Sequence, residues 1–180
     1  AIDELVKVEN AQEKYSFSQQ DHIFKSQLDQ RGISEQDTQA KFQFIHLNGA
    51  HVPFIYDENM NIIDEEEGTY EQTMLAVLSG AGNYVEKLRG SGAYDNTVLI
   101  IMADHGYNGM GEKEEDFLRQ AALLLIKGRN EQHDTMQISE APISYEDLQE
   151  AYVRLLDGAQ SDAVFDWKEG DTRERRFLEY

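Results

Sequence analysis

The sequence predicts an α/β fold, a mostly parallel sheet with flanking helices, and three observations predict it. An apolar run without polar interruption, Thr97 to Ala103, ends on Asp104, His105 and Gly106. A second run, Ala121 to Lys127, repeats that pattern. A long segment of helical periodicity precedes both. Apolar runs of this kind read as strands buried on both faces, and α/β sheets carry their chemistry just beyond the carboxyl ends of such strands.

The elements follow in chain order. Gln20 to Gln30 is expected as a helix with Ile23, Phe24 and Leu28 on one face, Asp21 as its N-cap and Gly32 as its stop. Phe42 to Leu47 is rich in aromatic and β-branched residues and is expected as a short strand. It runs into a loop, Asn48 to Pro53, marked by an Asn-Gly pair and a proline. From Thr69 to Arg89, Met74, Val77, Leu78, Ala81, Tyr84, Val85 and Leu88 recur every three or four residues, the pattern of a helix with one buried face. Gly90-Ser91-Gly92 ends it, and Tyr94-Asp95-Asn96 turns the chain into the Thr97 strand. Strand, loop, helix, strand, loop and strand is the order of a right-handed α/β sheet. Ser144 to Leu156 is a final helix, with Ser144 as N-cap, Leu148, Ala151, Tyr152 and Leu155 facing inward, and Gly158 closing it. The chain thus reads as one partial domain over residues 1–180: a polar helical lead-in over 1–40, a core over 42–156 and an edge-packing tail over 157–180.

Composition narrows the function classes. The 180 residues fit a single domain, and 40% hydrophobic content supports a core. With 35 acidic against 16 basic residues the formal charge is -19, which repels nucleic acid and anionic headgroups. The acidic runs Asp64-Glu65-Glu66-Glu67 and Glu112 to Asp116 read as solvated surface. Cysteine is absent, so thiolate metal sites, disulfides and a cysteine nucleophile are excluded. No stretch approaches the roughly 20 apolar residues that cross a bilayer. The start at Ala1, without a methionine, is that expected of an excised piece of a longer protein.

Three of the five histidines follow expected strands. Asp104 and His105 are adjacent, so in a regular strand they face opposite sides; both reach one ion only if the chain turns there, and Gly106 permits the turn. A carboxylate and an imidazole suit zinc or manganese better than calcium or magnesium. An ordinary capped turn also explains an isolated Asp-His-Gly, and its position after a buried strand favours the metal reading. His51 is placed in a loop stiffened by Gly49 and Pro53, at the same expected sheet edge as Asp104, and the bland alternative is a loop histidine bonded to backbone. His46, alternating with Phe42, Phe44 and Leu47, reads as a packed, hydrogen-bonded histidine, while His22 and His133 read as surface. Asn48 can donate its amide to an anionic oxygen, although Asn-Gly is first of all turn chemistry. Met74 and the Tyr84 stripe read as core, and no serine or threonine sits on a nucleophile elbow.

Phe44-Ile-His-Leu-Asn-Gly-Ala-His-Val-Pro-Phe54, a helix of some twenty residues, Gly92 to Gly106 and Ala122 to Gly128 together resemble the C-terminal half of a sulfatase-like protein of the alkaline phosphatase superfamily. The similarity is greatest to membrane-anchored phosphoethanolamine and phosphoglycerol transferases, lipoteichoic acid synthases included, and it covers about Phe42 to Leu156. The resemblance implies the C-terminal part of an alkaline phosphatase-like fold. It implies that Asp104 and His105 bind zinc or manganese and that His51 lies beside the substrate phosphate, or on a second metal. It implies transfer through a covalent Thr or Ser intermediate, with the nucleophile and the acidic ligand in an N-terminal half outside this chain. Residues 107–120 hold no histidine, where some phosphoethanolamine transferases have one; one ion rather than two is expected.

The implied whole protein acts on phosphate or sulfate esters of envelope glycolipids or polymers at the extracytoplasmic face of the cell membrane. It is membrane-attached only through segments outside this chain and has no nucleic-acid partner, and the 180 residues alone are expected to be inactive and to bind metal weakly if at all. Two alternatives stay open: a sulfatase, or a cytosolic phosphodiesterase or mutase, of the same superfamily; and a non-catalytic acidic α/β module whose histidines are structural.

Overall fold

The computed structural model describes residues 19–33, 40–106 and 122–174. The chain divides into two compact units, Ala1–Tyr94 and Asp95–Tyr180. The run 112–116, Ala121 and the last residues of the tail lie outside the described residues.

The first unit is built on two helices, α1 (Gln20–Arg31) and α2 (Tyr70–Ser91). α1 stops where expected: Gly32 takes φ +64°, and its N–H donates to the Leu28 carbonyl at 2.8 Å. Its start differs. Gln19 is the N-cap, and Asp21 lies inside the first turn with its side chain buried. α2 opens on a capping box in which Thr69 and Gln72 satisfy each other's backbone N–H, and it closes on Gly92 at φ +81°.

Asp29 ties the two helices together. It accepts from Lys25 Nζ at 2.9 Å and Asn83 Nδ2 at 2.8 Å, with Lys87 Nζ at 3.5 Å. The Lys25 and Asn83 bonds hold its carboxyl down at about 2. Phe24 meets Tyr84 with ring centroids 6.4 Å apart.

The buried face of α2 matches the expected stripe only in part, at Leu88 and at Val77, which packs on the core. Thr73, Ala76, Gly80 and Leu88 are buried, while Leu78 is exposed. Small residues face inward because Met60 fills the space over them: an added Cβ on Gly80 would stand 3.0 Å from Met60 Cε. Met60, Tyr56 and Ala76 form the core of this unit, with Ile55 and Val77 against it. A hairpin-like turn delivers Met60, with Asp57 Oδ1 accepting from the N–H groups of Asn59 and Asn61 and a bridge pairing Tyr56 with Ile62.

The strand expected at Phe42 to Leu47 is not formed; these residues belong to neither helix nor strand. Phe42 and Phe44 are 85% and 77% exposed, so no neighbouring strand covers this apolar face among the described residues. A strand exists only through its ladder partner, and propensity alone does not supply one.

In the second unit β1 (Leu99–Met102) pairs antiparallel with β2 (Leu124–Lys127), Ile100 opposite Ile126 and Met102 opposite Leu124. The bond from Ala103 N–H to the Leu123 carbonyl, 3.0 Å, extends the ladder. A mostly parallel sheet accommodates an antiparallel strand at its edge, and this pair is the whole ladder among the described residues. The strands are half-buried rather than buried on both faces.

Helix α3 (Leu148–Leu156), preceded by a 3-10 turn at Tyr145–Asp147, covers the pair. Its Ala151 and Leu155 pack with Val164 on Val98, Ile100 and Ile126. Leu148 is buried as expected, whereas Tyr152 is exposed and its hydroxyl lies 3.8 Å from Met102 Sδ. The described part of the tail wraps α3: Arg154 forks onto Asp166, and Arg173 reaches Asp147 at 2.5 Å while lying over the Trp167 ring.

Candidate functional site

β1 ends at Met102, and the chain bends at Asp104 and His105. The bend brings two side chains that a continuing strand would separate onto one side, with His105 Nε2 3.8 Å from Asp104 Oδ1. His105 Nδ1 lies 2.7 Å from the Gly106 carbonyl oxygen. A carbonyl only accepts, so Nδ1 is the donor and Nε2 is the ring nitrogen left facing the Asp104 side. A metal-binding imidazole is held in this way, with one nitrogen tied to a carbonyl and the other turned toward the ion.

The donor set fits a divalent transition metal. A tetrahedral ion at ordinary bond lengths holds an oxygen and a nitrogen ligand about 3.4 Å apart, so a small rotation of the exposed carboxylate, which is 90% accessible, closes the gap. Among the described residues no third histidine or acid joins the pair. Tyr145 supports the bend: its hydroxyl donates to the Ala103 carbonyl, the residue before Asp104. Burial pushes the Tyr145 phenol up, and the negative charge of Asp104 adds to the shift.

His51 belongs to the first unit and is exposed. It follows Gly49 at φ +71° and precedes the cis Val52–Pro53 bond. Its Nδ1 lies 2.6 Å from the Val52 carbonyl oxygen, so Nε2 is again the nitrogen presented outward. The backbone-bonded loop histidine and the phosphate-side histidine are therefore compatible, since one ring nitrogen serves each.

Asp21 organises this loop, a role its sequence position did not disclose. The carboxylate is 1% exposed, and its two oxygens accept the N–H groups of Asn48 at 2.8 Å and Gly49 at 3.0 Å. Burial pushes its carboxyl up, against the pull of the two N–H groups and nearby His46. The only sequence signal was an acid at a helix start, which reads first as a cap. Asn48 gives its backbone N–H to Asp21, and its side-chain amide makes no hydrogen bond among the described residues.

Of the other histidines, His46 and His22 depart from their expected settings, and His133 is exposed as expected. His46, expected to be packed, is exposed and meets Phe44 with ring centroids 6.3 Å apart. His22 is not a free surface residue: Nδ1 lies 2.8 Å from the Met60 carbonyl oxygen, and its N–H donates to Tyr56 Oη at 3.4 Å. His133 Nε2 lies 2.9 Å from Glu131 Oε1.

Glu131 is the second buried acid. It accepts from Ser161 Oγ, the Ser161 N–H and the Gly128 N–H as well as facing His133. Burial raises its carboxyl, but these four contacts outweigh it and hold it down at about 2. A carboxylate this fully occupied is a structural clamp rather than a free base.

No family model, no curated protein and no solved structure matches the chain. Among the described residues no helix is long and apolar enough to cross a membrane.

Proposed function

We propose that this chain is the part of a metal-dependent, sulfatase-like transferase or hydrolase that carries its Asp-His metal ligands and its phosphate-side histidine, within a mostly parallel α/β sheet of alkaline phosphatase type. The observation that supports the reading best is the pairing at the end of β1, with His105 Nδ1 tied to the Gly106 carbonyl and Nε2 turned toward the Asp104 carboxylate.

Asp104 and His105 hold the ion, manganese or zinc, through one oxygen and one nitrogen. When bound, that ion supplies Lewis-acid neutralisation of charge on the transferred group and acidifies a hydroxyl nucleophile. His51 works from its outward Nε2: protonated, it donates a hydrogen bond to an oxygen of the phosphate or sulfate ester and stabilises the entering or departing oxygen. Asn48 adds a neutral amide donor on the same loop. The nucleophile of this reading, a threonine or serine forming a covalent intermediate, lies outside the chain together with the acidic ligand. The substrates are phosphate or sulfate esters of envelope glycolipids or polymers, met at the extracytoplasmic face of the cell membrane.

Alanine replacement of Asp104 and of His105 in the whole protein tests the reading. Loss of bound manganese or zinc together with loss of phosphodiester turnover is expected; unchanged activity and metal content overturns it. The 180-residue chain by itself is expected to give no turnover, and clear phosphodiester cleavage by it contradicts the assignment of the nucleophile.

A further inference from the structure

We infer that Asp21 is the positioning residue of the His51 loop: one buried carboxylate seizes two consecutive peptide N–H groups, Asn48 and Gly49, and so fixes the direction in which the outward nitrogen of His51 and the side-chain amide of Asn48 are presented. The functional meaning of that direction rests on the proposed role of His51 beside a phosphate or sulfate ester.

Three observations carry the inference. Asp21 is 1% exposed, and a carboxylate removed from water is tolerated only where hydrogen bonds replace its hydration. Among the described residues no lysine or arginine pairs with it, so the loop's own N–H groups are its compensation. The two bonds are made by neighbouring residues, one at each carboxylate oxygen, and Gly49 takes φ +71°; successive N–H groups converging on one anion form a rigid concave nest. Two residues later stands His51, whose Nδ1 already faces the Val52 carbonyl. The chain path from the clamp to the histidine is too short to absorb a shift at Asn48 without turning the ring. Asp21 touches no substrate in this account; it acts through the loop.

The experiment uses the 180-residue chain and its Asp21→Asn variant, which keeps shape and removes the charge. Two signals are read by NMR: amide hydrogen exchange at Asn48 and Gly49, and the ring-nitrogen pattern of His51. Exchange at both amides is expected to rise by about tenfold or more, with α2 amides unaffected, because charge-assisted bonds are the stronger kind. His51 is expected to lose its Nδ1–H form. A folded variant whose Asn48 and Gly49 amides keep their protection overturns the clamp, and amides that loosen while His51 keeps its pattern overturn the positioning role. If the variant does not fold, the wild-type chain decides: protected amides and an Nδ1–H imidazole uphold the inference, and exchange at open-loop rates overturns it. A His51 ring that fails to respond to added inorganic phosphate counts against the proposed function and leaves the clamp to be judged by the amides.

Discussion

The N–H of Gly128 donates to Glu131 Oε2 at 2.5 Å, closing the turn that follows β2 around a carboxylate 5% exposed. The same carboxylate binds Ser161 at the start of the 3-10 turn Ser161–Ala163, so one side chain joins two segments thirty residues apart. Its carboxyl is held down at about 2, from an ordinary 4.5. A folded-state value below the unfolded one means that the contribution to stability is complete above pH 4.5 and is lost as the pH falls toward 2. Glu131→Gln is expected to cost roughly 2–3 kcal/mol at neutral pH. Denaturant midpoints measured from pH 7 to pH 2.5 are expected to converge for the two proteins at the acid end.

Gly68 has a different vulnerability. A Cβ added there would overlap the carbonyl oxygen of Phe54, a backbone atom that cannot rotate away. Gly68→Ala is expected to destabilise the first unit by about 1–3 kcal/mol, the usual cost of overpacking. Gly82→Ala is the control: its Cβ meets nothing, and a helical alanine is favoured over glycine, so a gain of up to about 1 kcal/mol is expected. Thermal unfolding of both variants checks the difference in sign.

Leu155 is fully buried between Ala151, Val164 and the β1–β2 pair. Leu155→Ala is expected to cost about 2–5 kcal/mol by leaving a cavity in the core of the second unit. Val153→Ala, two residues earlier on the exposed side of α3, is expected to stay within about 0.5 kcal/mol of wild type. Chemical denaturation separates the two.

What the sequence disclosed and what it hid divide along the range of the interactions. α1, α2 and α3 were legible because periodicity and helix stops are local, as with Gly92 at positive φ and Gly32 closing on Leu28, whereas the α1 cap expected at Asp21 falls to Gln19. The inward face of α2 was legible at Leu88 and Val77 but not at Thr73, Ala76 and Gly80, where it is chosen by Met60, a residue of another segment held at φ +62°. Phe42 to Leu47 carries strand propensity without a strand, since pairing is a tertiary event. Among the candidate residues, the types of Asp104, His105 and His51 stood out from the sequence, whereas their ring orientations, the support of the Asp104 bend by Tyr145 and, separately, the Asp21 clamp on the His51 loop depend on backbone carbonyls and N–H groups that no residue pattern encodes.

If Asp104 and His105 form half of a divalent-metal centre, as proposed, even weak binding of manganese by the 180-residue chain begins there, and a manganese titration followed by NMR detects it. Paramagnetic broadening is expected to begin at Asp104, His105 and Gly106 and at the His105 Nε2 signal, and to vanish from that region in Asp104→Ala and His105→Ala. Broadening that begins on the acidic surface run Asp64 to Glu67 and leaves Asp104 and His105 sharp would contradict the proposal.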